Sequence, residues 1–248
     1  MIHECKLAKV PEAMPVSLAA GFGIAAQTAY SMIRRLDVRG GERCLVTGAS
    51  SQTSQFVLAA LAELGVETYA VTTGLNDFSP LGVAGTIRVR PPFAATLSRN
   101  EIARRLIREH GGPDLVVDPF SDLYATAVVP LLKSDGSYVT CGIYAQSMVE
   151  PLIALSGREW RDLLATIIKG NLTIHGNCLG QQDDLARAIA AYDRLAPRLP
   201  PDSVFGPARA TEFVARSSTP TRFGKAILRY VPEPRSPTRP SGHVLCAR

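Results

Sequence analysis

The sequence predicts an α/β fold built on a doubly wound parallel sheet, and three observations carry that prediction. Short apolar, β-branched runs alternate with segments at helical spacing from Arg43 to Ala191. Glycines fall where helices should stop, with Gly65 after Leu64 and the pair Gly111, Gly112 after His110. A strand runs through a tight turn at Gly48 directly into a helix. At 248 residues, with 46% hydrophobic and 20% charged content, the chain is long enough to bury a substantial core.

Taken in order, Ser17–Leu36 is rich in alanine and apolar residues, which predicts one or two helices packed on the sheet. Arg43–Thr47 reads as the first strand and Gln52–Leu64 as the helix after it. Glu67–Thr72 and Thr86–Val89 are β-branched runs between turn residues, hence strands. Leu97–His110 has helical spacing, Asp114–Val117 is a strand, and Leu123–Leu132 is a helix. Ser137–Cys141 and Leu172–His175 complete the strands, and Glu159–Lys169 and Asp183–Leu195 the helices. Beyond Leu195 the pattern weakens into a proline-rich stretch, 197–207, followed by a short helix near Thr211–Ala215 and a last strand, Lys225–Tyr230. The expected organisation is a helical segment (1–36), a dinucleotide-binding domain (37–195), an extension with a final strand (196–230) and a mobile tail (231–248) holding four prolines.

Charge and cysteine usage narrow the functions. The net charge of +5 comes from 27 Lys and Arg against 22 Asp and Glu, spread along the chain rather than gathered into a basic stripe, so nucleic acid is not an expected partner. No uninterrupted apolar run approaches the roughly 20 residues of a bilayer span, and Met1 to Lys9 lacks a signal-peptide core, so a cytoplasmic protein without a membrane partner is expected. Cys5, Cys44, Cys141, Cys178 and Cys246 are odd in number and far apart, which argues against disulfides and against a paired-cysteine zinc site. His3, Glu4 and Cys5 are contiguous and lack the convergence that a zinc site requires, so no bound metal is expected.

The turn Gly48-Ala49-Ser50-Ser51-Gln52-Thr53-Ser54 joins a strand to a helix N-terminus, an arrangement that presents unpaired N–H groups and partial positive charge to an anion. This is the phosphate turn of a Rossmann-type domain, although Gly48 is the one glycine it keeps. Ser51 and Ser54 add side chains where the pyrophosphate would approach, which predicts weakened binding; the hydroxyls of Ser50, Ser51 and Thr53 could donate to phosphate or cap the helix.

Several further segments carry a resemblance. Pro11-Glu12, Ala19-Ala20 and Thr28-Ala29-Tyr30, the stretch Gly40 to Ser50, the stretch Gly111 to Pro119, the stretch Gly136 to Gly142, and the closing Gly224 to Leu228 are similar in order and spacing to the cofactor-binding half of the medium-chain dehydrogenase/reductase family, the zinc-type alcohol dehydrogenases and quinone reductases. The resemblance covers Lys9 to about Tyr230. It implies a nicotinamide cofactor lying near Thr28, Pro119 and the Cys141-Gly142-Ile143 turn. It also implies that the family's other domain, which supplies the zinc ligands and much of the substrate pocket, is missing from this chain, and that Leu172–His175 is the edge through which a homodimer forms.

The cofactor follows from the end of the second strand. An acid there would bind the ribose hydroxyls of NAD; Thr72, Thr73 and Gly74 stand there instead, which favours NADP while leaving NAD possible. The binding set is therefore Thr28, Gly48, Ala49, Ser50, Ser51, Gln52, Thr53, Thr72, Thr73, Pro119, Cys141, Gly142 and Ile143. Tyr30, Tyr144 and His175 are candidate proton donors, and none is assigned a catalytic role. Three functions remain: a zinc-independent oxidoreductase acting on a small carbonyl or activated alkene, a non-redox enzyme (cyclase, dehydratase or isomerase) on the same scaffold, or a non-catalytic cofactor-binding accessory protein.

Overall fold

Successive side chains on a strand point to opposite faces of a sheet, and here both faces are covered. Cys44, Val46, Leu115, Val117 and Val139 point into one apolar layer, while Leu45, Val116 and Tyr138 point into the other. The structure is a computed structural model that describes residues 7–144, 156–195, 198–219 and 221–230. Its main sheet contains β1 (Arg43–Val46), β2 (Glu67–Thr72), β3 (Gly85–Arg88), β4 (Leu115–Asp118), β5 (Ser137–Thr140) and β6 (Thr173–Gly176). All six are parallel, in the order β3-β2-β1-β4-β5-β6. The order reverses at β1, which pairs with both β2 and β4, and that switch point opens a crevice at the strands' carboxyl ends.

One face is covered by α1 (Val16–Leu36), α2 (Gln52–Glu63), α7 (Gln182–Ala190) and α8 (Tyr192–Leu195). The other carries α3 (Phe93–Arg99), α4 (Glu101–His110), α5 (Ser121–Val128) and α6 (Gly157–Lys169). Helix α1 has 21 residues and a mean hydropathy of 1.3 over its most apolar window, long and apolar enough to cross a membrane by length and composition. That corrects the expectation that no such segment exists. Here α1 buries Leu18, Phe22, Ala25, Ala29 and Met32 against α2 and α7. Its docking to α7 is fixed by Arg34, which donates to both carboxylate oxygens of the buried Asp184 at 2.9 and 3.1 Å.

The differences from the sequence reading have local causes. The helix expected over Leu97–His110 is two helices, because the Asn100 side chain accepts from the N–H groups of Ile102 and Ala103 and starts α4 afresh. Leu123–Leu132 divides into α5 and a 3₁₀ turn, Val129–Leu131, that contains Pro130. Asp183–Leu195 divides into α7 and α8 at Ala191. The proline-rich stretch holds a strand that the sequence reading lacks, β7 (Ser203–Phe205); after α9 (Ala210–Ser217), β8 (Ala226–Leu228) returns parallel to it as a separate two-stranded sheet. The tail expected at 231–248, the His3-Glu4-Cys5 trio and Cys246 lie outside the described residues.

Candidate functional site

The crevice at the switch point is a cleft of about 410 Å³, within the usual size range of small-molecule sites. Its floor is the phosphate turn. Gly48 adopts φ +53°, a left-handed conformation that L side chains rarely take. Ala49 N–H donates to the Val71 carbonyl and Ser51 N–H to the Gly48 carbonyl, closing the turn between β1, β2 and α2. Ser51 is the N-cap of α2: its Oγ accepts from Ser54 N–H at 3.2 Å.

One wall is the end of β2. Thr72 Oγ1 lies 3.3 Å from Ser50 Oγ and accepts from Gly74 N–H, and Asn76 donates to Ser50 Oγ. The opposite wall is aromatic, with Phe93, Phe120, Tyr124 and Tyr144. The third side comes from the far end of the chain: Ser217, Ser218, Thr219 and Arg222. This extension is clamped to the turn and α2 by two bonds. Gly224 N–H donates to the Ser50 carbonyl, which also accepts from Gln55 Nε2 of α2, and Lys225 N–H donates to Gln52 Oε1. Arg222 thereby lines the same cleft as Thr72 and Thr73. It donates to the Ser217 carbonyl and makes no ion pair with a carboxylate among the described residues.

Beneath the cleft is a buried acid. Asp118, at the end of β4, is fully enclosed and accepts from Thr47 Oγ1 at 2.5 Å, Tyr138 Oη at 2.8 Å and Phe120 N–H at 3.0 Å. Burial pushes its carboxyl up to about 6, opposed by those three bonds, which favour the charged form. Desolvation and the nearby Asp118 raise the Tyr138 hydroxyl well beyond its ordinary range and Tyr124 to about 12, so both stay protonated at neutral pH. Cys141 is raised to about 11, first by burial, and is an inert thiol rather than a nucleophile.

Of the thirteen residues expected to bind cofactor, Gly48, Ser50, Ser51, Thr72 and Thr73 line the cleft together. Thr28, Ala49, Gln52 and Pro119 are buried, and Gln52 serves to hold the extension. Thr53, Cys141, Gly142 and Ile143 lie outside the cleft lining, Gly142 accepting from Ser121 at the start of α5. The expectation that Ser54 crowds the phosphate is corrected: its side chain is fully buried and donates to the Thr47 carbonyl, away from the cleft. Among the candidate proton donors, Tyr144 lines the cleft. Tyr30 is half-buried near Glu63 and Arg194, and His175 is on the edge strand with its pKa lowered by burial and Arg35. The sequence reading lacks Phe93, Phe120, Leu123, Tyr124 and the wall of Ser217, Ser218, Thr219 and Arg222. Among the described residues no group of three or more His, Cys, Asp or Glu is placed to hold a metal.

Comparison with solved structures identifies this architecture. An NAD-dependent alcohol dehydrogenase matches 93% of the chain with a TM-score of 0.73 and 22% identity. The chain has the fold of the cofactor-binding half of the medium-chain dehydrogenases and reductases. The 2-octenoyl-CoA carboxylase reductase CinF, solved with NADP and 2-octenoyl-CoA, matches 92% of the chain with a TM-score of 0.71 and 19% identity. CurA from Vibrio vulnificus, solved with NADPH, matches 92% at a TM-score of 0.68 and 18% identity. This medium-chain fold accounts for only part of each neighbour: the chain spans 63%, 53% and 68% of their respective lengths. No protein-family model matches the sequence. No curated protein matches it significantly.

Proposed function

We propose that the chain binds NADP(H) in the switch-point cleft and serves as a cytoplasmic, zinc-independent oxidoreductase of the medium-chain type, acting on a small carbonyl or activated alkene. The observation that carries this reading is the pairing of an acid-free ribose wall, Thr72-Thr73, with the guanidinium of Arg222. A carboxylate at the end of β2 would repel a 2′-phosphate; two hydroxyls and a cation that lacks a carboxylate partner among the described residues attract one. The N-terminus of α2 fits the rest of the molecule, since it presents the first-turn N–H groups of Gln52 and Thr53 at the pyrophosphate position, while Ser54 N–H is taken by the Ser51 cap. The bound nicotinamide would supply hydride transfer. This chain's own contribution is to orient it between the turn and the aromatic wall, to exclude water there, and to offer the Tyr144 hydroxyl as a proton donor.

Fluorescence titration with NADPH and NADH tests the reading. Arg222→Gln should weaken NADPH roughly 10- to 100-fold, the value of a lost charge-assisted hydrogen bond, and leave NADH within about 2-fold. Equal losses for both would remove Arg222 from the 2′-phosphate. No binding of either by the unaltered protein at millimolar concentration would end the redox reading and leave a non-redox use of the cleft.

A homodimer through β6 belongs to the same proposal. Among the described residues the strand is an uncovered edge of the six-stranded sheet with Ile174 exposed, and beside it α6 presents Trp160, Leu164 and Ile168 to solvent at successive four-residue steps along one face. A second copy would cover both the unpaired backbone and this apolar row. Trp160 is the sole tryptophan, so its emission reports directly on burial. Dilution should shift it to the red as dimers part, and Thr173→Pro should give monomers by light scattering with red-shifted emission throughout. An unaltered protein that is monomeric at micromolar concentration overturns the proposal.

A further inference from the structure

Gly48 is the first residue of the phosphate turn, and its open side is already filled. A Cβ built on it would lie 2.5 Å from Phe120 Cε2 and 2.6 Å from Phe120 Cδ2, so the ring rests on the glycine Cα. Both residues line the cleft, so the ring stands where the aromatic wall meets the floor at Gly48. Phe120 is held there from two directions. Its N–H donates to Asp118 Oδ1, and its ring meets Tyr144 edge to face, with centroids 5.8 Å apart at 83°. Yet Phe120 is half-buried rather than enclosed, so its side chain has a direction in which to leave.

We infer that Phe120 is a specificity-determining gate on the dinucleotide, closing the lane over Gly48 that the pyrophosphate crosses. The inference rests on the nucleotide-binding reading above and deepens it. The adenosine half of the ligand, with its 2′-phosphate, needs the Thr72, Thr73 and Arg222 walls and leaves the ring in place. A full dinucleotide must pass Gly48 to reach the ends of β4 and β5, and it enters only when the ring swings off the glycine and gives up its contact with Tyr144. The chain thus discriminates against dinucleotides relative to their adenosine bisphosphate half by a device carried between β4 and α5, outside the glycine-poor turn itself.

The test compares NADPH with adenosine 2′,5′-bisphosphate, which ends at the first phosphate, by calorimetric titration of the full chain. Phe120→Ala should tighten NADPH roughly tenfold, the cost of breaking one aromatic contact and leaving one rotamer, and leave the bisphosphate within about 2-fold. Phe120→Trp should weaken NADPH and again spare the bisphosphate; thermal melts of both variants confirm that they fold. Weaker NADPH binding by Phe120→Ala would make the ring a stacking wall and overturn the gate, as would equal changes for the two ligands. If the unaltered protein binds the bisphosphate, the cleft reading stands even where the gate fails. If no variant binds either ligand, both fall.

Discussion

Replacing Gly48 with valine is expected to abolish NADPH binding and to lower Tm by roughly 5–20 °C. Two costs add. A β-branched residue forced to φ +53° is strained by about 1–2 kcal/mol, and its Cβ would have to displace the Phe120 ring from 2.5 Å, an overpacking cost of about 1–3 kcal/mol. Gly41 separates the two effects. It also has positive φ, +85°, but no atom of the described residues lies within 4 Å of its Cβ position, so Gly41→Val should show the strain alone with NADPH affinity unchanged. Combining Gly48→Val with Phe120→Ala should recover the packing share of the loss, as a coupling between the sites in a double-mutant cycle, without restoring binding. Gly48→Val that binds NADPH like the parent would show that the turn does not hold the phosphate.

Asp118 should impose a falling stability as pH rises from about 4 to about 6. Burial raises its folded carboxyl to about 6, above the roughly 3.9 of an unfolded chain, so in that window the folded protein holds a proton that the unfolded chain has released. Protonation therefore favours the folded state: the contribution is complete below the unfolded pKa and is lost as pH passes the folded one. Two units correspond to about 3 kcal/mol across the window. Asp118→Asn keeps the shape and an acceptor for Thr47 and Phe120 while removing the charge. The difference in urea midpoint between variant and parent should grow in favour of the variant from pH 4 to pH 6 and stay constant above. Parallel curves would show that Asp118 does not titrate in this range. Asp118→Ala, by contrast, strands two hydroxyls and the Phe120 N–H and should cost several kcal/mol at every pH.

The repeating strands and helices were legible because each is a local pattern with a local cause. Cys44, Leu45 and Val46 alternate between two apolar layers, and Gly111 ends α4 with the left-handed φ of +74° that its place after His110 suggests. Splits were less visible. In the sequence Asn100 reads as the interior of one helix, because a capping side chain differs from a helical one only in its hydrogen bonds. β7 was hidden among prolines, since a three-residue strand has no periodicity to detect and exists only because β8 lies beside it. The cleft divided along the same line. Gly48, Ser50 and Ser51 were found from their place between strand and helix, and Thr72 and Thr73 from their place at a strand end. Spacing alone sets Ser54 against the phosphate, because it gives the position of a side chain along a turn but not the side to which it points.

The sequence by itself determined the parallel α/β architecture, the location of the glycine turn between β1 and α2, and the absence of an acid at the end of β2, since each is written in residues close together along the chain. Only the tertiary structure decided what faces that turn. Arg222 reaches the cleft because Gly224 and Lys225 pair with Ser50 and Gln52, residues far away in sequence. Phe120 rests on Gly48 because β1 and β4 are neighbours at the switch point, with Thr47 and Phe120 both bonded to the buried Asp118. Parallel strands are joined by long crossovers, so the groups that meet at their carboxyl ends are distant in the chain, and no local pattern records their meeting.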